Sequence, residues 1–202
     1  MRTFFKFCSI LVLGALAFAP QTRAQGTVIA GVAPVFEGGV GYSYMQSNVP
    51  SQGNLTMKNG ALLSASGDLN MRFGVKLQVG YSRTQDAYQT GRVADLLTYM
   101  AGPVFYAVRR PKFDIHVQAL AGGARETGVN FENNGTLERG YVNHPAWAGG
   151  AGFQYRISDA FSLRPEVEYL RTSFFNSNAA IAGQTNLRAS MSMIYTFGRR
   201  QR

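Results

Sequence analysis

Residues 72–82, Arg-Phe-Gly-Val-Lys-Leu-Gln-Val-Gly-Tyr-Ser, decide the fold. Phe73, Val75, Leu77, Val79 and Tyr81 fall on one side of an extended chain, and Arg72, Gly74, Lys76, Gln78, Gly80 and Ser82 on the other. A period of two is the signature of a β-strand with two different faces, whereas a helix would scatter the same residues around its circumference.

Working outward, the pattern recurs until it accounts for eight segments. Phe113, Ile115, Val117, Ala119 and Ala121 alternate with Asp114, His116, Gln118 and Gly122. Leu163, Pro165, Val167 and Tyr169 stand against Arg164, Glu166 and Glu168, and Leu187, Ala189, Met191, Met193, Tyr195 and Phe197 against Arg188, Ser190, Ser192, Ile194 and Thr196. Four weaker segments, Phe36 to Tyr44, Ala61 to Leu69, Leu97 to Phe105 and Trp147 to Tyr155, follow the rule, with Gly38, Gly67 and Gly149 interrupting their apolar faces. Pro103 and Pro165 each remove a ladder hydrogen bond, so bulges or weakened pairing are expected there.

Alternation alone fits a soluble sandwich or a barrel, and the polarity of the faces separates them. Gly39, Gly41, Gly74, Gly80, Gly102, Gly122, Gly150 and Gly152 all lie on the polar face, where a narrow barrel needs small residues beside charged ones. The opposite face carries the large apolar and aromatic residues. In water that face would be a liability, and in lipid it is the required surface. Connections between segments run long, short, long, short, long, short, long. The short ones are Asn70-Met71, Arg109 to Lys112 and Ser158 to Ala160; the long ones are about Gln46 to Lys58, Thr84 to Ala94, Glu126 to Asn143 and Asn176 to Thr185. Short periplasmic turns and longer external loops give that rhythm, and an even strand count leaves both termini in the periplasm. The fold expected is all-β, an eight-stranded antiparallel up-and-down transmembrane β-barrel over residues 36–198.

Composition agrees. Only 15% of the residues are charged and 12% are aromatic, with 23 glycines, so apolar residues are dispersed in alternation rather than gathered in blocks. The exception is the start. Arg2 and Lys6 precede an uncharged apolar run, Phe7 to Ala19, and Thr22-Arg23-Ala24 supplies small residues before a cut. Residues 1–24 are therefore expected to be a signal peptide cleaved after Ala24. Residues 25–35 then form a periplasmic N-terminal segment and 199–202 a basic tail. Cys8, the only cysteine, leaves with the signal, so no disulfide or thiolate metal site is expected.

By these residues the chain resembles the OmpA-type outer-membrane β-barrel domain, and more closely the stand-alone outer membrane protein β-barrel family. The resemblance rests on Glu168-Tyr169-Leu170-Arg171-Thr172, on Gln184-Thr185-Asn186-Leu187-Arg188 and on the closing Tyr195-Thr196-Phe197-Gly198. It implies that Met191, Met193, Tyr195 and Phe197 act as the signal read by the barrel assembly machinery, which would be a partner during biogenesis. No peptidoglycan-binding domain of the OmpA kind follows Gly198 in this sequence.

On the inner face, Glu37, Lys76, Asp114, Arg156, Arg164, Glu166, Glu168 and Arg188, with Asp68 and His116, form a set of mixed sign. Each would be costly to bury unpaired, so an ion-pair network filling the lumen is expected, with Glu166 and Glu168 meeting Arg164 and Arg188. The functional reading is a structural protein of the bacterial outer membrane contributing to envelope integrity. Adhesion or recognition through the external loops, or a narrow small-solute pore gated at Lys76, are the alternatives. Enzyme chemistry is not expected. A lipid-modifying barrel needs a hydroxyl nucleophile beside a histidine base, yet His116 faces the lumen and His144, followed by Pro145 and Ala146, reads as a loop or interfacial residue. No cofactor or metal is expected.

Net charge of +9 falls to +6 without Arg2, Lys6 and Arg23. Arg72, Arg109, Arg110 and Lys112 lie at short turns and Arg199, Arg200 and Arg202 at the end, which makes the periplasmic rim basic. Outer-membrane lipid is the expected environment of a monomer, with peptidoglycan or an extracellular ligand as further partners. Export removes nucleic acid from consideration.

Overall fold

The computed structural model describes residues 35–49, 53–87, 91–131, 137–175 and 182–197. The expected signal peptide, residues 25–34 and the chain beyond Phe197 lie outside the described residues. Eight strands follow in order: β1 (Phe36–Val49), β2 (Gly53–Asp68), β3 (Phe73–Ala87), β4 (Arg92–Arg109), β5 (Phe113–Phe131), β6 (Leu137–Arg156), β7 (Phe161–Phe175) and β8 (Ala182–Phe197). Each pairs antiparallel with the next, and β8 returns to β1 to close the barrel. Among the described residues no helix is long and apolar enough to cross a membrane, and the strands supply the crossing.

The stagger of the barrel can be read from its registers. Stepping across partners from Phe161, through Tyr195, Gly38, Ala65, Leu77, Ala101, Ala121 and Trp147, the row comes back to β7 at Arg171, ten residues up the strand from Phe161. Such a stagger in eight strands tilts them by roughly 40°. It also decides which inward side chains meet across the lumen.

Burial follows the alternation without a break from Phe73 to Thr84 in β3, where outward residues from Phe73 to Tyr81 are exposed and inward ones from Gly74 to Ser82 are buried. The outward residues gather in two belts. Near the short turns lie Phe36, Phe73, Phe153, Tyr155, Phe161, Tyr195 and Phe197; toward the other end lie Tyr42, Tyr44, Tyr81, Tyr99, Trp147 and Tyr169. Between them the wall is aliphatic, with Val40, Leu63, Leu77, Val117, Val167 and Met193 exposed. An apolar band between two aromatic girdles is the outside of a barrel whose solvent is lipid.

Two sequence expectations change. Three of the four long connections, 46–58, 84–94 and 126–143, are largely strand, and the fourth is strand from Ala182 to Thr185. β5 continues to Phe131 and β6 begins at Leu137, so most of the stretch from Glu126 to Asn143 is a paired hairpin, with Glu126 opposite Val142 and Asn130 opposite Glu138. A strand of 20 residues tilted this way rises about 50 Å, twice the apolar band of about 25 Å, so the hairpin ends project beyond the lipid. Second, the inner face is not only small and charged. Met45, Met57, Leu96, Met100, Leu120 and Leu170, with Ala87, Ala94, Ala124, Ala146 and Ala148, form a buried apolar cluster.

Both prolines interrupt one of their ladders. Pairing of β4 with β5 lapses between Ala101 and Val104, and that of β6 with β7 between Gly152 and Tyr155, opposite Pro165. The register shifts themselves fall elsewhere, at Ser43/Met45, Thr84/Ala87, Tyr106/Val108 and Thr172/Phe175.

Candidate functional site

The lumen is organised in tiers. Nearest the short turns, Arg164 Nη2 donates to Glu37, whose carboxylate also accepts from Gln154 Nε2 at 3.1 Å and Ser66 Oγ at 3.3 Å. Arg164 Nε donates in turn to Gln154 Oε1 at 3.0 Å. At the rim below, Arg109 pairs with Asp68 at 2.7 Å and lies 3.5 Å over the Tyr106 ring, while Arg156 donates to Asp114 and to the carbonyl of Pro111 at 2.9 Å. The turn that follows Asp68 is tight. At the β2–β3 turn, the backbone N–H groups of Arg72 and Phe73 both donate to Asn70 Oδ1 at 2.8 Å.

Above that tier Lys76 reaches across from β3 to β7, its Nζ 2.6 Å from Glu166 Oε1 and 3.0 Å from Gln118 Oε1. His116 Nε2 contacts the same Glu166 oxygen at 3.0 Å. Glu168 accepts from Arg188 Nε at 2.7 Å, Gln118 Nε2 at 2.7 Å and Gln78 Nε2 at 3.0 Å, and Arg188 Nη1 donates to Thr98 Oγ1 at 3.1 Å. Glycines make the room. A Cβ on Gly80 would stand 2.5 Å from Arg188 Nη1, and one on Gly152 would press on the His116 ring and come within 2.8 Å of Glu166 Cγ.

Every carboxylate in this set has its own cation: Glu37 with Arg164, Asp68 with Arg109, Asp114 with Arg156, Glu166 with Lys76 and Glu168 with Arg188. These two tiers are thus electrically balanced pair by pair. Low dielectric strengthens each attraction, and the extra amide and hydroxyl partners offset the desolvation that would otherwise exceed it. Of the pairings expected from sequence, Glu168–Arg188 is present between neighbouring strands. Glu166 takes Lys76 instead, and Arg164 takes Glu37, because the stagger aligns those positions across the lumen.

The third tier is the apolar cluster, and near its upper edge stands Glu126. Its residue is 2% exposed, it pairs laterally with Leu96 and Val142, and neither carboxylate oxygen has a hydrogen-bond partner. Sequence reasoning placed Glu126 in a loop and missed it. The alternation of Ala124, Glu126 and Gly128 with Arg125 and Thr127 was the available signal. His144 stands in β6, opposite Ala124, on a strand rather than in a loop. Met191, Met193, Tyr195 and Phe197 all face outward on β8, each at least 42% exposed.

The family model of the outer membrane protein beta-barrel domain matches residues 8–194 of the sequence. The chain belongs to this family. In barrels of this kind the short turns lie on the periplasmic side and the longer hairpins on the external side. Solved structures agree in fold. The crystal structure of Ail, the attachment invasion locus protein of Yersinia pestis, is similar with a TM-score of 0.55 at 17% identity, covering 81% of this chain and 98% of that one. Neisserial surface protein A gives a TM-score of 0.62 at 11% identity, covering 83% and 99%. A major outer membrane protein from Thermus thermophilus gives 0.55 at 12%, covering 82% and 100%. No curated protein matches the sequence significantly.

Proposed function

We propose that this outer-membrane barrel is a structural protein that contributes to envelope integrity and has a closed lumen. The observation that supports the reading is the burial of the middle tier. The side chains of Lys76, Glu166, Glu168 and Arg188 are each 1% exposed, which leaves no aqueous path along them. An apolar layer closes the barrel above them. In a planar bilayer neither the purified protein nor Lys76→Ala is expected to open. Regular single-channel steps in the unaltered protein would overturn the closed-lumen reading in favour of a narrow pore. In cells, a deletion strain is expected to leak periplasmic enzymes and to become detergent-sensitive, and an unchanged envelope would count against the structural role. The mature protein is proposed to begin at Gln25, which N-terminal sequencing of the outer-membrane fraction tests.

A second reading, adhesion or recognition, is favoured by one observation: β5 and β6 form a hairpin far longer than lipid requires. A paired, twisted ribbon held above the membrane suits contact with another surface. Deleting residues 131–139 should abolish cell attachment while the barrel keeps its heat-modifiable migration on SDS gels. Attachment undiminished by the deletion would dismiss this reading.

A further inference from the structure

Glu126 is bordered by apolar residues along its own ladder. Its register partner on β4 is Leu96, the next inward residue there is Ala94, and Ala124 stands one inward step below it on β5. All three belong to the buried apolar cluster. A carboxylate that is 2% exposed, with no hydrogen-bond partner on either oxygen, has lost the hydration it would have in water, so the neutral acid is the form that fits. The position lies past the lipid. Glu126 is three residues beyond Gly123, which opposes Tyr99 of the external belt, and five beyond Ala121, which opposes Trp147. Burial holds its carboxyl up at about 7.

Just above Glu126 the wall comes apart. Pairing of β4 with β5 ends at Ala94 and Gly128, although β5 runs on to Phe131 in register with β6. Gly128 has a φ of +130°, which residues with side chains rarely adopt, and a Cβ there would stand 2.3 Å from the Val93 carbonyl oxygen. The strand therefore bends at its last contact with β4, one inward position above Glu126. The charged groups nearby are turned away or already engaged. Asp95 on β4 meets Arg83 and the Tyr81 hydroxyl on the outside, Arg125 lies over the Tyr141 ring, and Arg171 of β7 occupies an outward position. Asp86 on β3 is exposed and accepts from the Gly91 N–H. From β8, Arg188 is held by Glu168 in the tier below. β1 and β2 present Met45 and Met57. On β6, His144 is half-buried on an inward position opposite Ala124, and it is the other group here that titrates near neutral pH.

We propose that Glu126 is a proton-operated latch: protonated, it seats the base of the β5–β6 hairpin on the apolar layer; ionised, it withdraws toward water and the ends of β4 and β5 separate below Gly128. Ionisation is easier once the carboxyl is hydrated, so the seated state keeps its proton between the ordinary carboxylate range and about 7. Opening therefore grows as pH rises through that window and levels off above it. The hairpin is held in one pose in acid surroundings and released in neutral to alkaline ones. The tier of Lys76, Glu166, Glu168 and Arg188 stays shut in both states, so the latch rests on neither the closed-lumen reading nor the attachment reading.

Hydrogen exchange of the full mature barrel in micelles, followed by NMR from pH 5 to 8, tests the latch. Rates are divided by those of an unfolded chain at the same pH, which removes the chemical pH dependence of exchange. Protection of the amides from Ala94 to Leu96 and from Glu126 to Gly128 is expected to fall on the order of fiftyfold across that range, while Val75 to Val79 keep theirs. Glu126→Gln should hold the protection of the first group high and flat with pH, and Glu126→Leu serves the same comparison if the glutamine variant does not fold. His144→Gln should leave the fall in place. No fall in the unaltered protein, a fall shared equally by Val75 to Val79, a fall that persists in the Glu126 variants, or one that vanishes in His144→Gln would overturn the inference.

Discussion

Lys76 and Glu166 carry opposite charges into the middle of a membrane-embedded barrel from opposite walls. Removing one leaves the other buried and charged. Lys76→Met is therefore expected to lower unfolding free energy by about 3–5 kcal/mol, measured by urea unfolding in micelles. Adding Glu166→Gln removes the stranded charge and should recover much of that loss. A double variant as unstable as the single one would show that the pair is not the cause. Glu126 is the converse case, a carboxylate with no partner in a nearly dry setting. Glu126→Gln is expected to stabilise the protein by about 1–3 kcal/mol in the same assay at neutral pH, since an amide is less costly to leave unpaired than a charge. Which residues point inward was legible from parity alone. Which of them pair was legible only for Glu168 and Arg188, opposite each other on adjacent strands. Lys76 and Glu166 meet through the stagger of the whole barrel, which no single segment encodes.

At the scale of the strand, the sequence marks the lipid-crossing part and falls silent above it. Beyond the apolar band both faces of a strand meet water or loops, so little enforces alternation, and 126–131 and 137–143 read as loop though they pair as strands. The periodicity of Phe73 to Tyr81 is legible because lipid lies on one side and the lumen on the other. Prolines are legible anywhere, because the missing N–H does not depend on depth. The lapses beside Pro103 and Pro165 should make amides from Ala119 to Leu120 and from Phe153 to Gln154 exchange with solvent faster than those of Val75 to Val79. Hydrogen exchange followed by NMR in micelles reads this directly. Equal protection would mean that the ladder is closed there and the prolines cost nothing.

For the molecule as a whole, the two aromatic belts define where lipid begins and ends, and that boundary can be measured. Leu77 is 56% exposed, faces outward and pairs laterally with Ala65 and Ala101 in the aliphatic zone between the belts. Tyr81 faces outward on the same strand, within the external belt. In a water-soluble barrel either position would accept arginine with little effect, because an exposed leucine gains nothing from water. In a bilayer the outcome depends on depth: a cation at the midplane costs about 2–4 kcal/mol and one at the interface about 0–1 kcal/mol. Leu77→Arg should therefore destabilise the folded barrel in phosphatidylcholine vesicles by about 2–4 kcal/mol, and Tyr81→Arg by about 1 kcal/mol or less, in urea titrations followed by tryptophan fluorescence of Trp147. The difference between the two variants is the informative quantity, since both replace an apolar outward side chain with the same charged one on one strand. Equal small effects would place Leu77 in water and remove the lipid boundary. Equal large effects would move Tyr81 into the hydrocarbon and shift the external belt outward.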